Sequence, residues 1–176
     1  QRTKELNIKN EELFKLSITD KLTGLYNRVK LDSVLQENMS LSLRYGNIFS
    51  IIIIDIDFFK KINDNFGHQV GDDVLKECSY ILSQNIRNVD TLGRWGGEEF
   101  LVVCPETLKD GAKDLAIKLN KAIKLHKFST YPHSVTISVG VASCSVNDLN
   151  YDDIISNADK ALYEAKNNGR DRVEVF

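Results

Sequence analysis

From Ile48 to Ile56 the chain carries a β-branched run that is apolar on both faces. A strand of this kind needs cover on both sides, so the run predicts a central strand. Before it, Val29 to Tyr45 predicts a helix with Leu31, Val34 and Leu35 on one face, stopped by Gly46 and Asn47. After it, Asp72 to Arg87 predicts a helix with Val74, Leu75, Cys78, Ile81 and Leu82 facing inward. Thr91 to Trp95 and Glu98 to Cys104 read as two strands joined at Gly96-Gly97, a hairpin whose glycines are expected at positive φ. Ala112 to Leu125 is helical, with Leu115, Ala116, Leu119, Ala122 and Ile123 inside. Val135 to Ala142 alternates as a strand. Asp152 to Lys166 is a last helix burying Ile154, Ile155, Ala158, Ala161, Leu162 and Ala165, with Asn168-Gly169 as its stop. Arg172 to Phe176 alternates and predicts an edge strand.

The central order is strand, helix, strand, strand, helix, strand. That is the split βαβ, ferredoxin-like arrangement, an α/β (α+β) fold. It places the Ile48–Ile56 strand mid-sheet beside a hairpin strand, with helices on one face of a mixed, largely antiparallel sheet. Residues 1–17 stand apart as a linker or signalling helix, with Leu6, Leu13 and Leu16 as a thin stripe. A frayed terminal helix explains the stripe equally well. Residues 18–176 form the domain.

Composition narrows the function. With 176 residues and 42% hydrophobic positions, the chain can bury one real core. Lys and Arg number 23 against 25 Asp and Glu, a net charge of −2, which argues against binding nucleic acid through bulk positive charge. No apolar run is long enough to span a bilayer, and no secretory leader is expected. Cys78, Cys104 and Cys144 lack metal-ligand spacing and read as small core residues in a reducing compartment.

Four places break the rules of a plain fold-former. Asp55 and Asp57 end the most apolar strand, where a carboxylate must be paired, hydrogen-bonded, metal-bound or already in solvent. Glu98 and Glu99 are adjacent acids on a hairpin's return strand, pointing to opposite faces. If that strand pairs with Ile48–Ile56, one Glu meets Asp55. Two buried carboxylates then call for a hard cation such as magnesium or manganese. The segment Phe58 to His68 follows the central strand, where backbone N–H groups can cradle phosphate. Within and after it, Asn63 and Asp72 could read a guanine edge, although spacing alone favours helix caps. Lys166 and Arg170 close a helix, where basic residues usually answer the helix dipole.

The motif Gly96-Gly97-Glu98-Glu99-Phe100 resembles that of the GGDEF family of diguanylate cyclases, in G-G-E-E-F form. The resemblance runs from Asp20 to Arg172. It takes in Asp20-Lys21-Leu22-Thr23-Gly24-Leu25-Tyr26-Asn27-Arg28 and Asp55-Ile56-Asp57-Phe58-Phe59-Lys60-Lys61-Ile62-Asn63-Asp64. It continues through Phe66-Gly67-His68, Gly71-Asp72, Ala158-Asp159 and Tyr163-Glu164-Ala165-Lys166 to Gly169-Arg170.

The resemblance implies a nucleotidyl-cyclase palm. It also implies condensation of two GTP into cyclic di-GMP (c-di-GMP) with loss of two pyrophosphates. Two magnesium or manganese ions per half-site would be held by Asp55, the Ile56 carbonyl, Glu98 and Glu99. Either Glu could also activate the 3′-hydroxyl. Phe58, Phe59, Lys60, Gly96, Gly97, Lys166 and Arg170 would hold phosphates. Asn63, His68 and Asp72 would hold guanine. Arg87 and Asp90 match the family's R-x-x-D inhibitory product site, with Lys118 as a second basic residue that cannot form a bidentate fork. A homodimer, an upstream sensory or receiver domain and a bacterial cytoplasmic location are implied too. The alternative is a catalytically silent GTP- or c-di-GMP-binding module, against which the intact set of acids stands.

Overall fold

The computed structural model describes residue 9, residues 14–145 and residues 147–176. Leu6 and Leu13 lie outside the described residues. Residues 14–18 are helical, and Leu16 is exposed.

The regular elements run α1 (Arg28–Tyr45), β1 (Phe49–Ile56), α2 (Phe59–Phe66), α3 (His68–Asn85), β2 (Thr91–Arg94), β3 (Glu99–Pro105), α4 (Lys109–Leu125), β4 (Ile137–Ser143), α5 (Tyr151–Asn167) and β5 (Val173–Val175). The sheet order is β2-β3-β1-β4-β5. The first four strands pair antiparallel, and β5 runs parallel to β4. The expected central place of β1, beside a hairpin strand, is what the sheet has.

Side-chain alternation along β1 builds two cores. Ile52, Ile54 and Ile56 pack with α2, α3 and α4, whereas Phe49, Ile51 and Ile53 pack with α1 and α5. Helices therefore cover both faces, not one. The reason is the apolarity of β1 itself, since either face left bare would expose isoleucines at roughly 2–3 kcal/mol each. Asn27 caps α1 by accepting the Lys30 amide at 3.1 Å, and Gly46 ends it in the left-handed region at φ 72°.

Three local expectations need correction. The segment after β1 is a helix, α2, and α3 begins at His68 instead of Asp72. Asp72 therefore lies in the second turn of α3, and Asn63 lies inside α2, so neither caps a helix. The periodicity of α2 is too short to stand out from its polar residues. Gly96 and Gly97 are not among the positive-φ residues. Their smallness matters differently, as the site shows. Cys144 is only half-buried, with its sulfur 3.2 Å from the Ser42 hydroxyl, so it is no core residue.

Helix α5 sits so close on β4 that only glycine fits at one position. A Cβ on Gly140 would lie 2.2 Å from the Ala158 carbonyl oxygen and 2.5 Å from the Leu162 nitrogen. Both obstacles are backbone and cannot rotate away. Gly140→Ala is expected to lower unfolding free energy by about 2–3 kcal/mol, read as a fall in the urea midpoint at unchanged slope.

Candidate active site at the end of the central strand

Strand pairing decides which glutamate meets Asp55. In the β1–β3 register Asp55 stands opposite Glu99, and on its other side it stands opposite Ser138 of β4. The Ile56 amide donates to the Glu98 carbonyl at 3.3 Å, so Glu98 flanks the same strand end. The Ile56 side chain is in the core, which leaves only its backbone for the site. Asp55 and Asp57 are each only 5% exposed, which removes solvent as their partner.

Asp57 is saturated by the Thr136 and Ser138 hydroxyls and the Asp171 amide. Asp55 instead faces the Lys166 ammonium at 2.9 Å. Burial pushes the Asp55 carboxyl up, and Lys166 only partly offsets this. Partial burial and then the Asp55 charge push Glu98 and Glu99 up as well. Three acids thus share one ammonium. Among the described residues no group of three such side chains is already drawn together at metal-binding spacing. Hard oxygen donors with surplus negative charge nevertheless fit a divalent cation of the magnesium type.

The hairpin tip is held by Arg94. Its guanidinium donates to the Gly96 carbonyl at 3.2 Å and the Gly97 carbonyl at 2.7 Å, and it reaches both oxygens of Asp20 at 3.2 Å. A Cβ on Gly96 would lie 2.7 Å from Glu99 Oε2, so Gly96 is small to admit that carboxylate. Partial burial pushes Asp20 up. The Thr23 hydroxyl and amide, followed by the Arg94 charge, outweigh it and hold the carboxyl below its usual range. Arg28 lies 3.2 Å over the Trp95 ring, so Trp95 packs under a cation. Asp20 and Arg28 stand in the entry motif and Arg94 in the first hairpin strand, with no part assigned to any of them from the sequence. Their spacing of some seventy residues hides the pairing.

The turn after β1 is formed by Phe58 in the left-handed region at φ 57°. Its ring is 51% exposed and lies 4.7 Å from both the Lys61 ammonium nitrogen and the Arg170 guanidinium carbon. Lys166 and Arg170 therefore do face the Asp55 end. Lys61, to which the motif assigned no part, joins them at the turn through the Phe58 ring, and both Lys60 and Lys61 are exposed. Phe59 is buried in the core, so only its backbone is available for a phosphate. Farther along, the Asn63 amide packs on Gly71, where a Cβ would lie 1.9 Å from Asn63 Oδ1. Asn63 and Asp72 are half-buried, and His68 is exposed.

A family described as "Diguanylate cyclase, GGDEF domain" matches residues 17–172. The chain belongs to the GGDEF family. It is 39% identical over 163 residues to the response regulator PleD of Caulobacter vibrioides, covering 90% of this chain and 36% of that protein. It is 39% identical over 173 residues to diguanylate cyclase A of Treponema denticola, covering 96% and 47%. The chain thus spans less than half the length of these curated relatives.

Among solved structures, the active GGEEF domain of a Vibrio cholerae diguanylate cyclase is 36% identical, with a TM-score of 0.81. It covers 85% of this chain and 96% of its own. The coiled coil and GGDEF domain of DgcB from Caulobacter crescentus, in complex with c-di-GMP, gives a TM-score of 0.93 at 26% identity. It covers 99% of this chain and 94% of its own.

In this GGDEF domain Arg87 and Asp90 form a fork. The guanidinium reaches the two Asp90 oxygens at 2.8 and 3.1 Å and the Thr107 hydroxyl at 2.6 Å. Asp90 is buried and Arg87 exposed, so the carboxylate holds the guanidinium in a fixed orientation at the surface. Lys118 donates to the carbonyl of Asn85, two residues before Arg87, at 2.9 Å.

Asp20 gives a pH test of the hairpin tie. Its lowered pKa means that the unfolded chain takes up the proton first as pH falls. The stabilisation is present above the ordinary value of 3.8 and is lost as pH drops through the lowered one. Asp20→Asn is expected to cost about 1–3 kcal/mol at pH 7. The gap from wild type should close on acidification, measured by urea unfolding at a series of pH values.

Proposed function

We propose that this domain is a diguanylate cyclase that joins two GTP into c-di-GMP and releases two pyrophosphates. The carrying observation is the Asp55–Glu99 pairing across β1 and β3, with Glu98 alongside and Lys166 as the ion-pair partner of Asp55. Residues 18–176 are the catalytic domain, and residues 1–17 connect it to whatever regulates it.

Asp55, Glu98, Glu99 and the Ile56 carbonyl are the oxygen donors for magnesium or manganese, two ions per half-site. When bound, such ions lower the pKa of an attacking hydroxyl and stabilise charge on the α-phosphate and the leaving pyrophosphate.

The chain's own residues do the rest. Asn63 and Asp72 accept and donate at the guanine edge, and His68 borders it. The backbone from Phe58 to Lys60, with the Gly96-Gly97 tip, follows the phosphates. Lys60, Lys166 and Arg170 neutralise them. A motif glutamate whose carboxyl is pushed up by burial and by Asp55 is suited to take the 3′-hydroxyl proton. The 3′-oxygen bonds to the α-phosphorus of the facing GTP, and the bond to pyrophosphate breaks. One chain supplies one set of these groups, so two domains face each other for the paired reaction. Arg87, Asp90 and Lys118 bind the product and slow the enzyme.

The test is incubation with GTP and magnesium, with c-di-GMP read by chromatography. Glu99→Gln is expected to lower kcat by about 10²–10³-fold, the scale of losing one preorganised electrostatic group. GTP binding without turnover, at protein concentrations that permit dimers, favours the silent module instead. Arg87→Ala should leave the initial rate near wild type and remove the slowing of the progress curve as product accumulates. An unchanged curve and product affinity would reject the inhibitory site.

A further inference from the structure

Asp57 takes no part in the proposed chemistry, yet it is as buried as Asp55. Its Oδ1 accepts the Ser138 hydroxyl at 2.6 Å. Its Oδ2 accepts the Thr136 hydroxyl at 2.7 Å and the Asp171 amide at 3.0 Å. The hydroxyls belong to β4 and its approach. The amide belongs to the loop after α5, so one carboxylate spans the end of β1, β4 and that loop.

The loop is in an unusual conformation. Arg170 and Asp171 have φ of 63° and 47°, and Phe58, directly after Asp57, has φ 57°. Residues with a Cβ hold this region only when their surroundings impose it. Around Asp171 the imposing groups are on the page. Its amide is bound by Asp57, and its carboxylate is bound by Lys124 and by Asn120 at 3.4 Å. What this holds in place is Arg170, whose guanidinium lies 4.7 Å from the Phe58 ring and whose charge reaches Asp55.

We infer that Asp57 is a positioning residue for the phosphate side of the site. Its carboxylate fixes the Asp171 amide, and with it the loop that aims Arg170 and the Phe58 turn at a nucleoside triphosphate. The identity of that triphosphate as GTP rests on the proposed cyclase reading. A carboxylate needed only to satisfy two hydroxyls would not reach across to Asp171. That third hydrogen bond separates positioning from simple satisfaction of buried polar groups.

Three readouts test this. They are KM and kcat for GTP, calorimetric affinity for a GTP analogue with an uncleavable α,β-methylene bridge, and hydrogen exchange of the Asp171 amide. Asp57→Ala should raise KM and weaken the analogue about tenfold, the effect of losing a charged hydrogen bond, with a smaller change in kcat. The Asp171 amide should exchange faster. Asp57→Asn, which can still accept that amide, should recover most of the affinity.

Ser138→Ala removes a donor to Oδ1 and spares the link to Asp171, so it should lower stability while leaving KM and analogue affinity near wild type. Should Asp57→Ala fail to fold, Asp57→Asn carries the test, with about a threefold loss expected from the weaker neutral acceptor. Wild-type affinity and exchange in these Asp57 variants would overturn the inference, as would an equal loss in Ser138→Ala. If the wild-type domain binds the analogue but makes no product, the cyclase reading falls while weakened binding by Asp57→Ala still supports the inference. If the wild type does not bind the analogue, both fall.

Discussion

Asp55 stands at the end of a strand buried on both faces, with Glu99 directly across the ladder and Glu98 beside them. Carboxylates so placed repel one another and lose hydration together. Burial is the leading cause of the upward shift in all three. One ammonium, Lys166, is too little to balance them. The fold holds this surplus because β1 is so apolar elsewhere. Two helical layers clamp the strand, and the antiparallel register fixes the backbone positions of Asp55 and Glu99 opposite each other. Stability stored in the isoleucine core is what tolerates a destabilised polar end, which is how a site gains affinity for a cation and a polyphosphate.

Two further acids hold the loops around that end, and both work by spanning distant parts of the chain. Asp20, from the segment ahead of α1, anchors Arg94, and Arg94 grips the carbonyls of Gly96 and Gly97. Asp57 ties the approach to β4 and the loop after α5 to the end of β1. The hairpin tip and the Phe58–Arg170 side are thus fixed by separate networks. Neither tie consumes the acids at the centre. A backbone with several residues at positive φ is held in one shape by hydrogen bonds placed where the strain is.

The sheet order and the pairing of a motif glutamate with Asp55 were legible in the sequence because both follow from period-2 alternation and the hairpin glycines. The buried faces of α1, α3 and α5 were legible from their apolar spacing. The second helical layer contradicts the one-face arrangement taken from the strand order, although the two-sided apolarity of β1 already required it. Helix α2 escaped because Phe59 and Ile62 are too few to mark a period among Lys60, Lys61, Asn63 and Asp64. The function of Gly96 also escaped. Its constraint is the side chain of Glu99, a tertiary contact, and not a backbone angle. Phe59 was read as a phosphate contact by motif, but its place in the core leaves only its amide for that.

The net charge of −2 takes on a definite meaning against this geometry. A chain with no basic excess can hold a triphosphate only if positive charge is concentrated where it is needed. Lys61, Lys166 and Arg170 gather at the end of β1, on elements far apart in sequence. Lys166 is already engaged with Asp55. A triphosphate arriving there would compete with Asp55 for the same ammonium. A divalent cation taken up by the three acids would remove that conflict, freeing Lys166 for phosphate as it neutralises the carboxylates. On the proposed reading, cation and nucleotide therefore favour each other's binding, through a lysine whose resting partner is the metal ligand itself.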